Sequence, residues 1–122
     1  MRKIQIIDDD ESSLKLLAEI IANAGYEVIT STNGIDALDQ FRLENPDLLV
    51  TDVNMPRMNG YDLSRNVKAL RSIPIVIISG SFDPGAMNKE SQTNADIFLK
   101  KPLNISELLA HIDSILSETD SV

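Results

Sequence analysis

The sequence predicts a single α/β domain: a parallel sheet with helices packed on both faces. Short apolar runs alternate with stretches of helical period along the chain, the pattern of successive βα units. One run, "IPIVIIS" at 73–79, is apolar almost throughout, as a strand covered on both faces should be. No repeat, low-complexity tract or linker breaks the alternation over 122 residues, a length that suits one domain with a proper core.

In chain order, "KIQIID" (3–8) reads as the first strand. A helix follows over "SSLKLLAEIIANAG", with Leu14, Leu17 and Ile21 on one face and Gly25 as its stop. "EVITS" (27–31) is β-branched and strand-like. "GIDALDQFRLEN" aligns Ala37, Leu38 and Phe41, and Pro46 ends that helix. "DLLVTD" (47–52) is the third strand, and "YDLSRNVKAL" a helix with Leu63, Val67 and Leu70 in register. After the fourth strand comes "GSFDPGAMNKESQTN" (80–94), which predicts a short or mobile fourth helix with Pro84 in its first turn and only Ala86 and Met87 for a core face. "ADIFLK" (95–100) is the fifth strand. "NISELLAHIDSILSE" closes the pattern with a wide stripe of Ile105, Leu108, Leu109, Ile112, Ile115 and Leu116, entered through an Asn104 cap and Glu107. Five such units with right-handed crossovers suit the doubly wound, flavodoxin-like strand order 2-1-3-4-5.

Composition narrows the function classes. No cysteine is present, so disulfides, thiol nucleophiles and cysteine metal sites are excluded. A net charge of −8 weighs against gripping nucleic acid or an anionic membrane surface. No apolar run approaches the roughly 20 residues of a spanning helix, and the start "MRKIQIID" lacks a signal peptide's apolar region. A cytoplasmic protein is expected.

In this architecture ligands bind beyond the carboxyl ends of the strands, in the crevice between strands 1 and 3. Strand 1 runs into Asp8 and Asp9, strand 3 ends at Asp52, strand 4 at Ser79, and strand 5 at Lys100 and Lys101. The ionisable groups therefore collect where a site is expected, while strand 2 ends in a bland Ser31-Thr32. Three carboxylates in one crevice either share a proton or take a cation. Oxygen ligands without nearby His or Cys favour Mg²⁺ over Zn²⁺. A lysine and a hydroxyl opposite them would serve phosphoryl oxygens, so the set fits phosphoryl transfer to a carboxylate. Asp10, Glu11 and Ser12 read as helix-start residues, His111 as a surface residue, and the methionines as packing.

With these residues the chain resembles a receiver domain of two-component response regulators, and in length a single-domain regulator. The likeness runs from Ile4 to about Leu116 through "IIDDD", "LLVTDVNMPRMNG", "IVIISG" and "FLKKP", taken in order. It implies a receiver over 1–122 with its core at about 3–117. Asp52 would accept a phosphoryl group from a histidine kinase or histidine phosphotransfer protein. Asp9, Asp52 and the backbone carbonyl of Asn54 would bind Mg²⁺, with Asp8 acting through a metal-bound water. Lys101 is preferred to Lys100 as the partner of Asp52 and then of the phosphate, because it directly precedes Pro102. The Lys101–Pro102 bond would be cis. The Ser79 hydroxyl would turn toward the phosphate and Phe98 would rotate inward with it. These movements would switch the strand 4–helix 4–strand 5–helix 5 surface toward an unknown downstream protein target.

Such a protein is a signalling phosphoacceptor and not an enzyme; it assists only its own phosphorylation and dephosphorylation. The resemblance implies a monomer or a weak dimer linked to phosphorylation. Asn54 and Ser81, small and polar, would leave room for attacking water. Asn94 stands where such domains usually carry glycine before strand 5, and Asn tolerates the positive φ of that turn. Three alternatives accompany this expectation. The chain could be a receiver piece of a longer regulator or hybrid kinase, although Met1 directly before strand 1 favours a stand-alone form. A pseudo-receiver would have lost an acid or the lysine, and none is lost here. A haloacid-dehalogenase-like phosphatase would place its nucleophile after strand 1 and a further acidic pair after the lysine, where only the isolated Asp113 follows.

Overall fold

Every helix start among the described residues carries a side chain able to replace the missing intrahelical acceptor. Asp10 accepts from the Ser12 amide, Asn33 from Asp36, Asn59 from Asp62, and Asn104 from Glu107. These caps set the frame of the computed structural model, which describes residues 2–80 and 95–120, with side chains through residue 117. The elements are β1 (Lys3–Ile7), α1 (Glu11–Asn23), β2 (Glu27–Ser31), α2 (Gly34–Glu44), β3 (Leu48–Asp52), α3 (Gly60–Leu70), β4 (Ile75–Ser79), β5 (Ile97–Lys100) and α4 (Ile105–Asp120). The expected helix within 80–94, with Pro84, Ala86 and Met87, lies outside the described residues, as do Ser81 and Asn94. The label α4 therefore belongs to the C-terminal helix.

The strands form one parallel sheet in the order β2-β1-β3-β4-β5. Its two faces bury separate cores. On one face Ile4, Ile6, Val50, Val76 and Ile78 pack with Leu14, Leu17 and Ile21 of α1 and Leu108, Ile112 and Leu116 of α4. On the other, Ile7, Leu49, Ile75 and Ile77 pack with Ala37 and Phe41 of α2 and Leu63 and Val67 of α3. All five residues of β3 are buried, so the central strand delivers Asp52 from a rigid base.

Three strands, β3, β4 and β5, are shorter at their starts than the apolar runs imply. Asp47 and Asp96 stand just before β3 and β5, where their carboxylates accept from the first amides of neighbouring strands: Lys3 N at 2.8 Å and Ile75 N at 2.8 Å. Pro74 offers no amide to extend β4. At the other end of β1, Asp8 lies beyond the last strand residue. Leu70 also departs from expectation. It is the last residue of α3 and is half in solvent, not part of the buried stripe.

Candidate functional site

β1 and β3 are hydrogen-bonded neighbours, so their carboxyl ends lie side by side. Asp8 and Asp9 follow one and Asp52 ends the other, and one carboxylate oxygen of each lies within 4.8 Å of the others. Asp8 and Asp52 are buried, whereas Asp9 is exposed. Among the described residues no His or Cys joins them in a metal-binding group. The donor set is all oxygen and fits a hard divalent cation such as Mg²⁺.

Two contacts hold the Asp52 carboxylate. Its Oδ1 accepts from the amide of Val53 at 2.8 Å, and its Oδ2 accepts from Lys101 Nζ at 3.1 Å. Lys101 is brought there because its own amide donates to the Ser79 carbonyl at 2.9 Å, which continues the β4–β5 pairing. The Lys101–Pro102 peptide is cis. Asp8 Oδ1 accepts from the Asp10 amide at 3.0 Å, so the chain leaving β1 is folded back as it enters α1. Ser79, at the end of β4, is partly exposed. Phe98, paired with Ile77 in register, stands out at 36 % exposure.

The electrostatics follow from this packing. Burial pushes the Asp8 carboxyl above its ordinary value, and the charges of Asp52 and Asp9 add to that, against the Asp10 hydrogen bond and Lys101. Burial acts to lower the Lys101 ammonium. The hydrogen bond to Asp52 and the charges of Asp52, Asp8 and Asp9 outweigh it, and the net shift is upward. Asp10 is held below the usual carboxylate range by hydrogen bonds from Ser13 and Ser12, as suits a cap.

The structure thus brings together Asp8, Asp9, Asp52 and Lys101, with Ser79 on the adjoining strand end. His111 stays apart on α4, its Nε2 3.7 Å from Glu107 Oε1. Met55 and Met58 pack against the α2–α3 core. Other residues shape the site without a local signature in the sequence. The Thr51 hydroxyl donates to the Asp52 carbonyl at 3.0 Å. A Cβ at Gly60 would meet that same carbonyl at 2.3 Å, so only glycine lets α3 start against the base of Asp52. A cavity of about 350 Å³ adjoins the site, where Asp8, Asp52 and Lys101 meet an apolar wall including Leu16, Leu17, Ile20, Leu103 and Ile105.

A doubly wound parallel sheet with an acidic triad at the switch point and a lysine across from it defines a phosphoacceptor module. The family profile described as the response regulator receiver domain matches residues 4–113, and the chain belongs to that family. It is therefore a receiver domain of two-component signalling. It is 34 % identical over 120 residues, 98 % of this chain, to a probable transcriptional regulator ycf27 of Cyanophora paradoxa, covering 50 % of that relative. The chain thus spans about half the length of the ycf27 relatives it matches. It is 28 % identical over 120 residues to the polar-differentiation response regulator DivK of Brucella anthropi, covering 96 % of this chain and 98 % of that one. A solved signal receiver domain of a signal transduction histidine kinase from Syntrophus aciditrophicus superposes with a TM-score of 0.91 at 32 % identity, over 97 % of this chain and 92 % of that one. Among the described residues no helix is long and apolar enough to cross a membrane.

Proposed function

We propose that Asp52 is the phosphoacceptor of this receiver and that Lys101 is its charge partner before and after transfer. The observation that carries this is the 3.1 Å Lys101–Asp52 contact beside a cluster of three carboxylates. The donor is a phosphohistidine of a histidine kinase or phosphotransfer protein, in a cytoplasmic setting, and the output is a downstream protein. The P–N bond to the imidazole breaks as a bond forms between phosphorus and an Asp52 carboxylate oxygen.

Asp9, Asp52 and the backbone carbonyl of Asn54 are the groups that would hold Mg²⁺, with Asp8 acting through water. When bound, the cation neutralises charge on the transferring phosphoryl oxygens. Lys101 then exchanges its contact with Asp52 for a phosphoryl oxygen, and the Ser79 hydroxyl donates to another. The acyl phosphate adds about −1.5 to −2 charges at one strand end. Inward rotation of Phe98, now partly exposed, would carry that change along β5. The protein's part is limited to its own phosphorylation and dephosphorylation.

The test is intact mass after incubation with Mg²⁺ and acetyl phosphate, beside Asp52→Asn. One added phosphoryl group, absent from the variant and lost when Mg²⁺ is withheld, is the expected result. Equal labelling of the variant would move the acceptor elsewhere.

A further inference from the structure

Leu16 lies outside the buried stripe of its helix. Leu14, Leu17 and Ile21 of α1 face the core, whereas Leu16 is 60 % exposed. The half-buried Ile20 follows it one turn along the same side. An exposed leucine is by itself unremarkable, but this one has a place. It lines the cavity of about 350 Å³ that also reaches Asp8, Asp52 and Lys101. Leu17 and Ile20 continue the wall on α1, and Leu103 and Ile105 line it from the β5–α4 junction.

The cavity is therefore divided chemically. At one end stand the Asp52 carboxylate, its lysine partner 3.1 Å away and the buried Asp8. Away from that end the lining side chains are hydrocarbon, with the exception of Ser13, whose hydroxyl already donates to Asp10 at 3.0 Å. A polar leaving group, such as a sugar or a nucleotide, would lose hydration against that wall and gain no hydrogen bond in return. An aliphatic chain gains by leaving water. The ligand that matches both ends carries a phosphoryl group on a short apolar body.

We propose that, beside phosphohistidine, this receiver takes its phosphoryl group from acyl phosphates with a short aliphatic chain, and that the cleft between Leu16 and Leu103 binds the chain. The proposal rests on the reading of Asp52 as phosphoacceptor. The bond between phosphorus and the acyl oxygen breaks as one forms between phosphorus and an Asp52 carboxylate oxygen. The aliphatic carboxylate leaves with the electron pair of the broken bond. Straight-chain carboxylic acids differ little in acidity, so a longer chain is no better as a leaving group and alters only what the cleft holds. Contacts to the chain exist in the bound donor as well as in the transition state, so they lower KM and leave kcat alone. Full burial of a methylene is worth about 0.8 kcal/mol, or about fourfold in a binding constant. The wall at Leu16 is open to solvent, so about twofold per methylene is expected.

The experiment follows labelling by intact mass, with Mg²⁺ present, over a range of concentrations of acetyl, butyryl and hexanoyl phosphate. Phosphoramidate, a donor without carbon, is run beside them. The unaltered chain is compared with Leu16→Ser. In the unaltered chain kcat/KM should rise about fourfold from acetyl to butyryl phosphate and about fourfold again to hexanoyl phosphate, through KM. In Leu16→Ser the hexanoyl-to-acetyl ratio should fall from about sixteenfold to about fourfold or less. The ratio is taken within one protein, so a general change in acceptor reactivity or folding cancels from it. A flat series in the unaltered chain, a rise carried by kcat, or an undiminished ratio in Leu16→Ser would overturn the proposal. So would labelling by phosphoramidate and by no acyl phosphate, which would leave the acceptor in place. Failure of all four donors to label the unaltered chain would instead overturn the reading of Asp52 beneath it.

Discussion

Gln5 within β1 and Asp8 just beyond its end show two different costs of burying polarity. Asp8 holds a charge beside Asp52 with little solvent, so its folded-state proton affinity lies above the ordinary value of 3.8. The folded chain then binds more protons than the unfolded chain in the window just above pH 3.8, and stability falls as pH rises through it. Asp8→Asn should stabilise the metal-free protein by about 1 kcal/mol at neutral pH. That advantage should vanish toward and below pH 3.8, where both states of the wild type are protonated. Urea midpoints in a chelator at several pH values would reveal this, and a pH-independent difference would sink the idea. Gln5 is fully buried, its amide nitrogen donating to the Ala37 carbonyl at 2.7 Å while Oε1 has no hydrogen-bond partner among the described residues. An orphaned buried acceptor costs about 1–3 kcal/mol, against about 0.5–1.5 kcal/mol for the bond that Nε2 makes. Gln5→Met, of similar volume, should therefore raise the urea midpoint, by about 1 kcal/mol in stability. A drop would show that the Ala37 contact matters more to α2 than this balance allows.

At the scale of elements, the periodic signals held where burial was the only force acting. The runs of β1 and β4, and the α1 stripe of Leu14, Leu17 and Ile21, were legible because each strand or helix face answers to a core. Boundaries were not, because they depend on partners distant in sequence. Asp47 reads as the start of β3, yet its carboxylate belongs to the Lys3 amide, 44 residues away. Asp96 reads as part of β5 and instead accepts from Ile75 N and from Lys68 Nζ at 3.2 Å. Asp8, Asp9 and Asp52 could be placed because topology brings strand ends together, and the choice of Lys101 over Lys100 came from the receiver resemblance, through Pro102. Thr51 and Gly60 could not be placed, since their roles are close approaches that no local pattern records. The Asp96 clamp supports a prediction of its own. Asp96→Ala removes a charge-assisted bond to a strand-start amide and an exposed ion pair, and should cost about 1 kcal/mol, nearly all from the amide. Asp96→Asn should recover most of it. Native-state hydrogen exchange at Ile75 is the direct readout: faster exchange in the alanine variant alone is expected, and equal exchange in both would assign the effect to the Lys68 pair.

For the whole molecule, the acid cluster makes metal-free stability and function opposing demands. The chain carries a net charge of −8, and three of its carboxylates converge within 4.8 Å at one end of the sheet. Lys101 is one cation among them, and among the described residues its ammonium pairs with Asp52 Oδ2 alone. A cation that binds the folded cluster and not the unfolded chain adds stability as RT ln(1 + [L]/Kd), about 2.7 kcal/mol at 100 times Kd. Monovalent salt acts differently: it screens charge across the whole surface without saturating at one site. The urea midpoint should therefore climb with Mg²⁺ at constant ionic strength, gaining about 1.4 kcal/mol for each tenfold rise above Kd. Asp9→Asn removes the exposed member of the cluster, leaves the Lys101–Asp52 pair in place, and should flatten that slope. An equal climb in Asp9→Asn, or in sodium chloride of matched ionic strength, would mean that Mg²⁺ acts on net charge alone. A slope confined to the intact triad would mean that the repulsion among Asp8, Asp9 and Asp52 is relieved by one specific ion. The same cluster would then be both the weakest part of the metal-free fold and the part prepared for phosphoryl transfer.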